Sequence, residues 1–252
     1  DEIPPSPLSK GGGRPLGTGG FSDEIRRLPL TSASHLCSPS ALHRFLLTGL
    51  QPDAINRPQS VEAVKNELIP LIAICHHQWR AGSDIGRYRR QNQDAYFAQS
   101  AVIYTQSEPV IVGLYLVADG MGGAMAGDLA SRIVVETCQH SWGELLCDTE
   151  FHQKTDSEWL SWVGGVLQKA NQAIIEIAGG TEMGSTATLS LVINQRAYFA
   201  HVGDSRAYLI DADKIEQLTA DHSLVARLVR MGTLAQEDAA NHPQRHIIYK
   251  SL

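Results

Sequence analysis

The chain has 252 residues, room for one domain of ordinary size or two small ones. Hydrophobic residues make up 43% and charged residues 19%, a globular balance that excludes wholesale disorder. The net charge is −6 and no Lys/Arg cluster stands out, which excludes the basic face of a nucleic-acid binder. Cysteines at 37, 75, 138 and 147 form no CxxC pair, so neither a zinc ribbon nor a redox dithiol is indicated. The longest apolar run, Leu68 to Cys75, is interrupted by Pro70 and is too short to cross a bilayer. The chain does not start with a basic segment and an apolar core, as a signal peptide would. A cytoplasmic protein with no membrane contact is expected.

Residues 1–40 are about half Gly, Pro and Ser and read as a low-complexity linker or disordered tail. Over 41–75 the spacing of Leu42, Phe45, Leu46 and Leu50, and then of Val61, Val64 and Leu68, predicts a short helical hairpin. Asp53 and Ser60 are candidate N-caps. The stretch from Leu50 to Ser60 also resembles the end of a protein kinase domain, with Ala54 in place of the usual Pro. A kinase remnant and an unrelated hairpin both stay open. No Gly-rich loop, H-R-D or D-F-G accompanies the segment, so kinase activity is not expected.

From residue 78 onward the pattern becomes strand-like. Thr186 to Ile193 and Ala197 to Ile210 are rich in β-branched and aromatic residues, with turns predicted at Asn194-Gln195 and at Asp211-Ala212-Asp213. Two helices are predicted, Met125 to Leu146 and Glu158 to Ala178. The second places Leu160, Val163, Leu167, Ala170 and Ile174 on one face. Strands in blocks and helices in blocks imply a layered α+β fold with antiparallel sheets.

The run Gly113 to Gly123 carries the strongest chemical signal: an apolar strand ending in Asp119, then Gly120-Met121-Gly122-Gly123. A carboxylate fixed at a strand end, beside glycines that let backbone oxygens approach, suits a hard divalent cation. Asp-Gly is also a common turn. A dinucleotide loop is disfavoured because Met125 occupies the third glycine position. Upstream, Gly86 to Asp94 brings Arg89, Asn92 and Asp94 together. Arg89 offers a planar fork for phosphate oxygens and Asp94 a ligand for a metal-bound water, with an exposed polar loop as the alternative. Downstream, His201 to Tyr208 places Asp204 in an expected buried hairpin, as a metal ligand or as the partner of Arg206. Leu218 to Val225 leads into a short helix, with Asp221 or Thr219 as its cap. His242 and His246 read as surface residues.

In chain order these are R-x-x-N-[EQ]-D, V-A-D-G-M-G-G, G-S-T-A at Gly184 to Ala187, V-G-D-S-R-A-Y, L-T-x-D-H-S and His242-Pro243. The series over residues 78–252 resembles the bacterial type 2C metal-dependent serine/threonine protein phosphatases. The resemblance implies a four-layer α-β-β-α sandwich of two antiparallel sheets flanked by helices. It implies two Mg²⁺ or Mn²⁺ ions and a more weakly held third. Asp119 would bridge two metals, Gly120 would offer its carbonyl, Asp94 would bind through a water, Asp204 would hold the third metal, and Arg89 would take the phosphate. Catalysis would use a metal-activated water on phosphoserine or phosphothreonine in a protein. Functional pairing with a serine/threonine kinase is a further implication. Two departures bear on it: Ala124 follows the glycines where many relatives carry a polar residue, and two further aspartates of the family pattern do not precede Leu252. The domain is therefore expected to be C-terminally truncated, and the alternative function is a catalytically inactive regulatory or partner-binding module.

Overall fold

In a computed structural model of the chain, the structure describes residues 77–104 and 109–252 apart from 88, 90 and 212, together with 14–15, 25–29, 60 and 63. The helical segment expected over 41–75 lies outside the described residues except for Ser60 and Ala63. There the Ala63 N–H donates to Ser60 Oγ at 3.0 Å, the bond an N-cap serine makes.

Ten strands are described in chain order: β1 (Arg14–Pro15), β2 (Ile25–Pro29), β3 (Asp94–Tyr104), β4 (Pro109–Met121), β5 (Gly184–Ser185), β6 (Ala187–Ile193), β7 (Arg196–Val202), β8 (Tyr208–Ile210), β9 (Ile215–Gln217) and β10 (Lys250–Ser251). The central sheet runs β2-β7-β6-β4-β3, every pair antiparallel, with β5 attached to the end of β4. β8 and β9 form a separate antiparallel hairpin, and β1 pairs with β10 in parallel. Arg14–Pro15 and Ile25–Pro29 thus form strands within the stretch read from sequence as linker.

Alternation fixes the buried face. Along β4, Val112, Leu114, Leu116 and Ala118 are at most 2% exposed, whereas Val117 is 52% exposed. The buried side meets two long helices, α1 (Ala124–Leu146) and α2 (Asp156–Ala178), which also pack on each other. α1 contributes Ala130, Ile133, Val134, Cys138, Trp142 and Leu145, a spacing of three and four residues that makes one apolar stripe. The first turn of α2 is anchored by Trp159, at 4% exposure, while the expected Leu160 only packs against the margin of the core. The indole supplies more apolar area than the leucine and meets the Phe151 ring at a tilt of 56° with centroids 4.9 Å apart, with Lys154 above its own ring. α2 starts on a complete capping box between Thr155 and Glu158 and ends at Gly179 in the left-handed region. Tyr198 Oη donates to Asp156 Oδ1 at 2.7 Å, tying that helix start to β7.

The β6–β7 turn falls on Asn194-Gln195, as its sequence predicts. Asn194 adopts φ 50°, which asparagine tolerates, and its side chain accepts from the Ile111 N–H at 2.9 Å. The run from Ala197 to Ile210 is not one strand: it breaks after Val202, where Gly203 takes φ +103°. No helix among the described residues is long and apolar enough to cross a membrane.

Candidate active site

The β3–β4 ladder places Asp94 directly opposite Asp119. Residues paired in this way project from the same face of the sheet, so two carboxylates leave neighbouring strands side by side. Burial first, and then the Asp94 charge, push the Asp119 carboxyl up to about 6. The Asp204 charge and a hydrogen bond with Asp94 add to the shift, and the Arg89 guanidinium works against it. Asp94, Asp204 and Arg89, each singled out from sequence, are therefore close enough to act electrostatically on Asp119. Among the described residues, no group of three or more His, Cys, Asp or Glu is gathered tightly enough to hold a metal ion. The chemistry of the Asp94–Asp119 pair nonetheless fits a divalent cation. It is all oxygen, with Asp119 half-buried and Asp94 open to solvent, and a cation relieves the like-charge cost.

The glycine turn is shaped by close approach. A Cβ on Gly120 would lie 1.9 Å from the carbonyl oxygen of Gly127, in the first turns of α1. Gly122 and Gly123 take φ +115° and +89°, which favour glycine. Gln93, passed over in the sequence reading, ties the parts together. Its Oε1 accepts from Arg89 Nη1 at 2.5 Å and its Nε2 donates to Gly123 O at 2.7 Å, while its backbone carbonyl accepts from the Gly120 N–H at 3.1 Å. The side chain is buried, so its amide has both halves satisfied. Its sequence signal was the [EQ] position of the R-x-x-N-[EQ]-D motif, to which no role was attached.

Asp204 lies in the bend after β7, not inside a buried hairpin, and is half-buried. Burial raises its carboxyl above the ordinary value, the Asp221 charge adds to that, and a backbone hydrogen bond opposes it. Arg206 does not pair with Asp204. It makes a two-pronged contact with Asp221, Nε to Oδ1 at 2.8 Å and Nη2 to Oδ2 at 2.6 Å. Asp221 and Thr219 are both engaged with the segment before β8, Asp221 through Arg206 and Thr219 through its Oγ1, which accepts from the Ala207 N–H at 3.1 Å. The cap of the short helix α3 (Leu224–Arg230) is instead Ser223, whose Oγ accepts from the Ala226 N–H at 3.3 Å. A cleft of about 540 Å³ opens beside Asp204, lined also by Arg206, Asp221, Arg230, Arg245 and His246.

Behind the Asp204 bend two histidines stack, with ring centroids 5.1 Å apart. His201 Nδ1 shares a 2.9 Å hydrogen bond with Thr188 Oγ1, and His222 Nδ1 accepts from the Gly203 N–H at 3.0 Å. Burial, then the neighbouring His201 and Arg230 charges, lower His222 from 6.5 to about 4, with Asp221 opposing the shift. The unfolded chain then binds a proton below pH 6.5 that the folded chain refuses until about pH 4. Stability is unaffected by this group above that window and falls as pH drops through it, by roughly 1.4 kcal/mol per pH unit. Urea unfolding at pH 7.5 and pH 5 should show the loss, and His222→Gln should shrink the difference between the two. An identical pH dependence in the variant would refute the assignment.

Residues 80–227 match the family described as Protein phosphatase 2C. The chain is 35% identical over 181 residues to the serine/threonine phosphatase stp of Listeria innocua serovar 6a, covering 70% of this chain and 66% of that protein. It is 35% identical over 173 residues to the protein phosphatase PhpP of Streptococcus pneumoniae serotype 2, covering 68% of this chain and 65% of that one. The crystal structure of the serine/threonine phosphatase Stp1 from Staphylococcus aureus superposes with a TM-score of 0.54 at 33% identity, over 67% of this chain and 63% of that chain. The chain thus spans a little under two thirds of the length of these relatives.

Proposed function

The chain belongs to the protein phosphatase 2C family, and from that membership we propose that the whole protein is a metal-dependent protein serine/threonine phosphatase. The observation that carries this reading is the Asp94–Asp119 carboxylate pair at the glycine turn, with Arg89 in electrostatic reach. Asp119, the Gly120 carbonyl oxygen and Asp94 would hold Mg²⁺ or Mn²⁺ at this strand end. Asp204 serves a third, weaker site. When bound, Mg²⁺ or Mn²⁺ supplies an activated water and neutralises charge on the phosphoryl group.

Arg89, tethered through Gln93, presents its fork to the phosphoryl oxygens of phosphoserine or phosphothreonine and offsets their charge. No cysteine among the described residues suits a phosphocysteine route. Burial pushes the Cys138 thiol up to about 12, which keeps it protonated. Cys147 follows the last turn of α1, a helix of 23 residues and so about 35 Å from the glycine turn at its start. The exposed sheet face around Tyr96 and Val117 supports a second sheet lying across it in the whole protein, which would complete the four-layer sandwich. A serine/threonine kinase would supply the phosphorylated substrate.

The test is hydrolysis of a phosphoserine or phosphothreonine peptide by the whole protein. Turnover is expected with Mn²⁺ or Mg²⁺ and should vanish on chelation. Undiminished turnover after thorough chelation would sink the reading.

A further inference from the structure

We propose that Thr186 is a positioning residue that locks the Asp119 end of β4 to the Gly203–Ser205 bend and so sets the spacing of the Asp119 and Asp204 carboxylates toward a divalent cation; this rests on the phosphatase reading above. Thr186 is fully buried between β5 and β6. The regular β4–β6 ladder stops at Val117 opposite Thr188, so the Asp119 peptide lies past its end. Thr186 bonds both backbone polar groups of Asp119, whose carbonyl also accepts from Ser185 Oγ at 3.2 Å. Its N–H donates to Asp119 O at 2.8 Å, and its hydroxyl accepts from the Asp119 N–H at 3.0 Å.

A threonine hydroxyl that accepts from an N–H still has its own proton to give. Ser205 Oγ lies 2.8 Å from Thr186 Oγ1, and the two hydroxyls share a hydrogen bond. Ser205 is held a second time, by Thr188 Oγ1 donating to its carbonyl at 2.9 Å. The hydrocarbon half of Thr186 fits the same purpose. Its Cβ and Cγ2 both lie 2.6 Å from where a Cβ on Gly203 would stand, so the bend packs directly on this side chain. One residue therefore touches Asp119 through two hydrogen bonds and the residues on both sides of Asp204 through a hydrogen bond and packing. Asp119 and Asp204 sit on segments far apart in the chain, and the Asp204 charge reaches the Asp119 carboxyl. If Thr186 were only a core residue, exchanging its hydroxyl for a methyl would leave metal binding alone.

The experiment uses the whole protein as wild type, Thr186→Val, Thr186→Ser and Ser205→Ala. Mn²⁺ binding is measured by calorimetry and by electron paramagnetic resonance, beside circular dichroism. Thr186→Val should weaken Mn²⁺ binding about ten- to a hundredfold, the range for residues that orient metal ligands. Thr186→Ser keeps the hydroxyl and should recover to within a few-fold of wild type. Wild-type Mn²⁺ affinity in Thr186→Val, or equal impairment in the Val and Ser variants, overturns the proposal. Should Thr186→Val fail to fold, Ser205→Ala decides: it removes the link without orphaning the Asp119 N–H, and unchanged Mn²⁺ binding there overturns the proposal as well. A wild type that binds no Mn²⁺ overturns the phosphatase reading itself and takes this inference with it, a result distinct from a binding wild type with an indifferent variant.

Discussion

Asp119→Ala is expected to abolish turnover, while Arg89→Ala leaves measurable activity. Asp119 stands at the centre of the electrostatic group, feeling Asp94, Asp204 and Arg89 at once. Removing it takes away the carboxylate at the centre of the proposed cation site, a loss larger than the roughly hundredfold that a supporting residue costs. Arg89 acts on the substrate's charge instead. A charge-assisted contact is worth roughly 1.5–3 kcal/mol, or about ten- to a hundredfold in kcat/KM. Steady-state kinetics on both variants at saturating Mn²⁺ measures the split. Equal inactivity of the two would show that the division of labour is wrong.

The second large effect is structural. Gly120→Ala should lower the melting temperature by about 6–12 °C, because overpacking of this kind costs about 3 kcal/mol in a domain of this size. The added Cβ would stand 1.9 Å from the Gly127 carbonyl oxygen, and that neighbour is helix backbone that cannot rotate aside. The Gly127 side offers no relief either, since its own Cβ position is 2.2 Å from Gln93 Nε2. Gly143→Ala is the control. Nothing lies within 4 Å of its Cβ position and it sits inside α1, so alanine there should stabilise by about 0.5–1 kcal/mol. Calorimetric melting of the two variants and the parent tests the contrast, and a Gly120→Ala melt within 2 °C of the parent, against the expected shift of about 6 °C or more, would discard the close-approach argument.

What the sequence made legible follows from period and local chemistry. Both long helices, the Asn194-Gln195 turn and the Asp119-Gly120 strand end carry their signals within a few neighbouring residues. The rest depends on what packs against what. Trp159 instead of Leu160 anchors α2, because the two differ by one residue and periodicity alone does not rank an indole above a leucine. The break at Gly203 was hidden by strand-forming residues on both sides of it. The Arg206–Asp221 pair joins residues fifteen apart, and the nearer Asp204 looked equally suitable. Gln93 and Thr186 were the least legible. Each fills a motif position, in R-x-x-N-[EQ]-D and in G-S-T-A, but carries no charge to suggest a role, and its importance comes from the partners that the fold delivers to it. The candidate metal ligands stood out through the order of the motifs that carry them, since Asp-Gly by itself is also a common turn.

The division of the central sheet has a consequence for assembly. α1 packs chiefly on β3 and β4, and α2 on β7, β6 and β2, so each helix belongs to one hairpin. The β6–β7 hairpin closes through two turn residues, Asn194 and Gln195, and β3–β4 through residues 105–108. Joining the halves along the β4–β6 seam instead closes the whole excursion from Met121 to Ala187, at a higher entropic cost that grows slowly with loop length. Asp94 and Asp119 come from one half, Asp204 and Thr186 from the other. The confrontation between Asp119 and Asp204 therefore does not exist until the seam closes, and neither half carries it alone. Anything positive that settles among these carboxylates binds only the joined form, and so by mass action holds the two halves together.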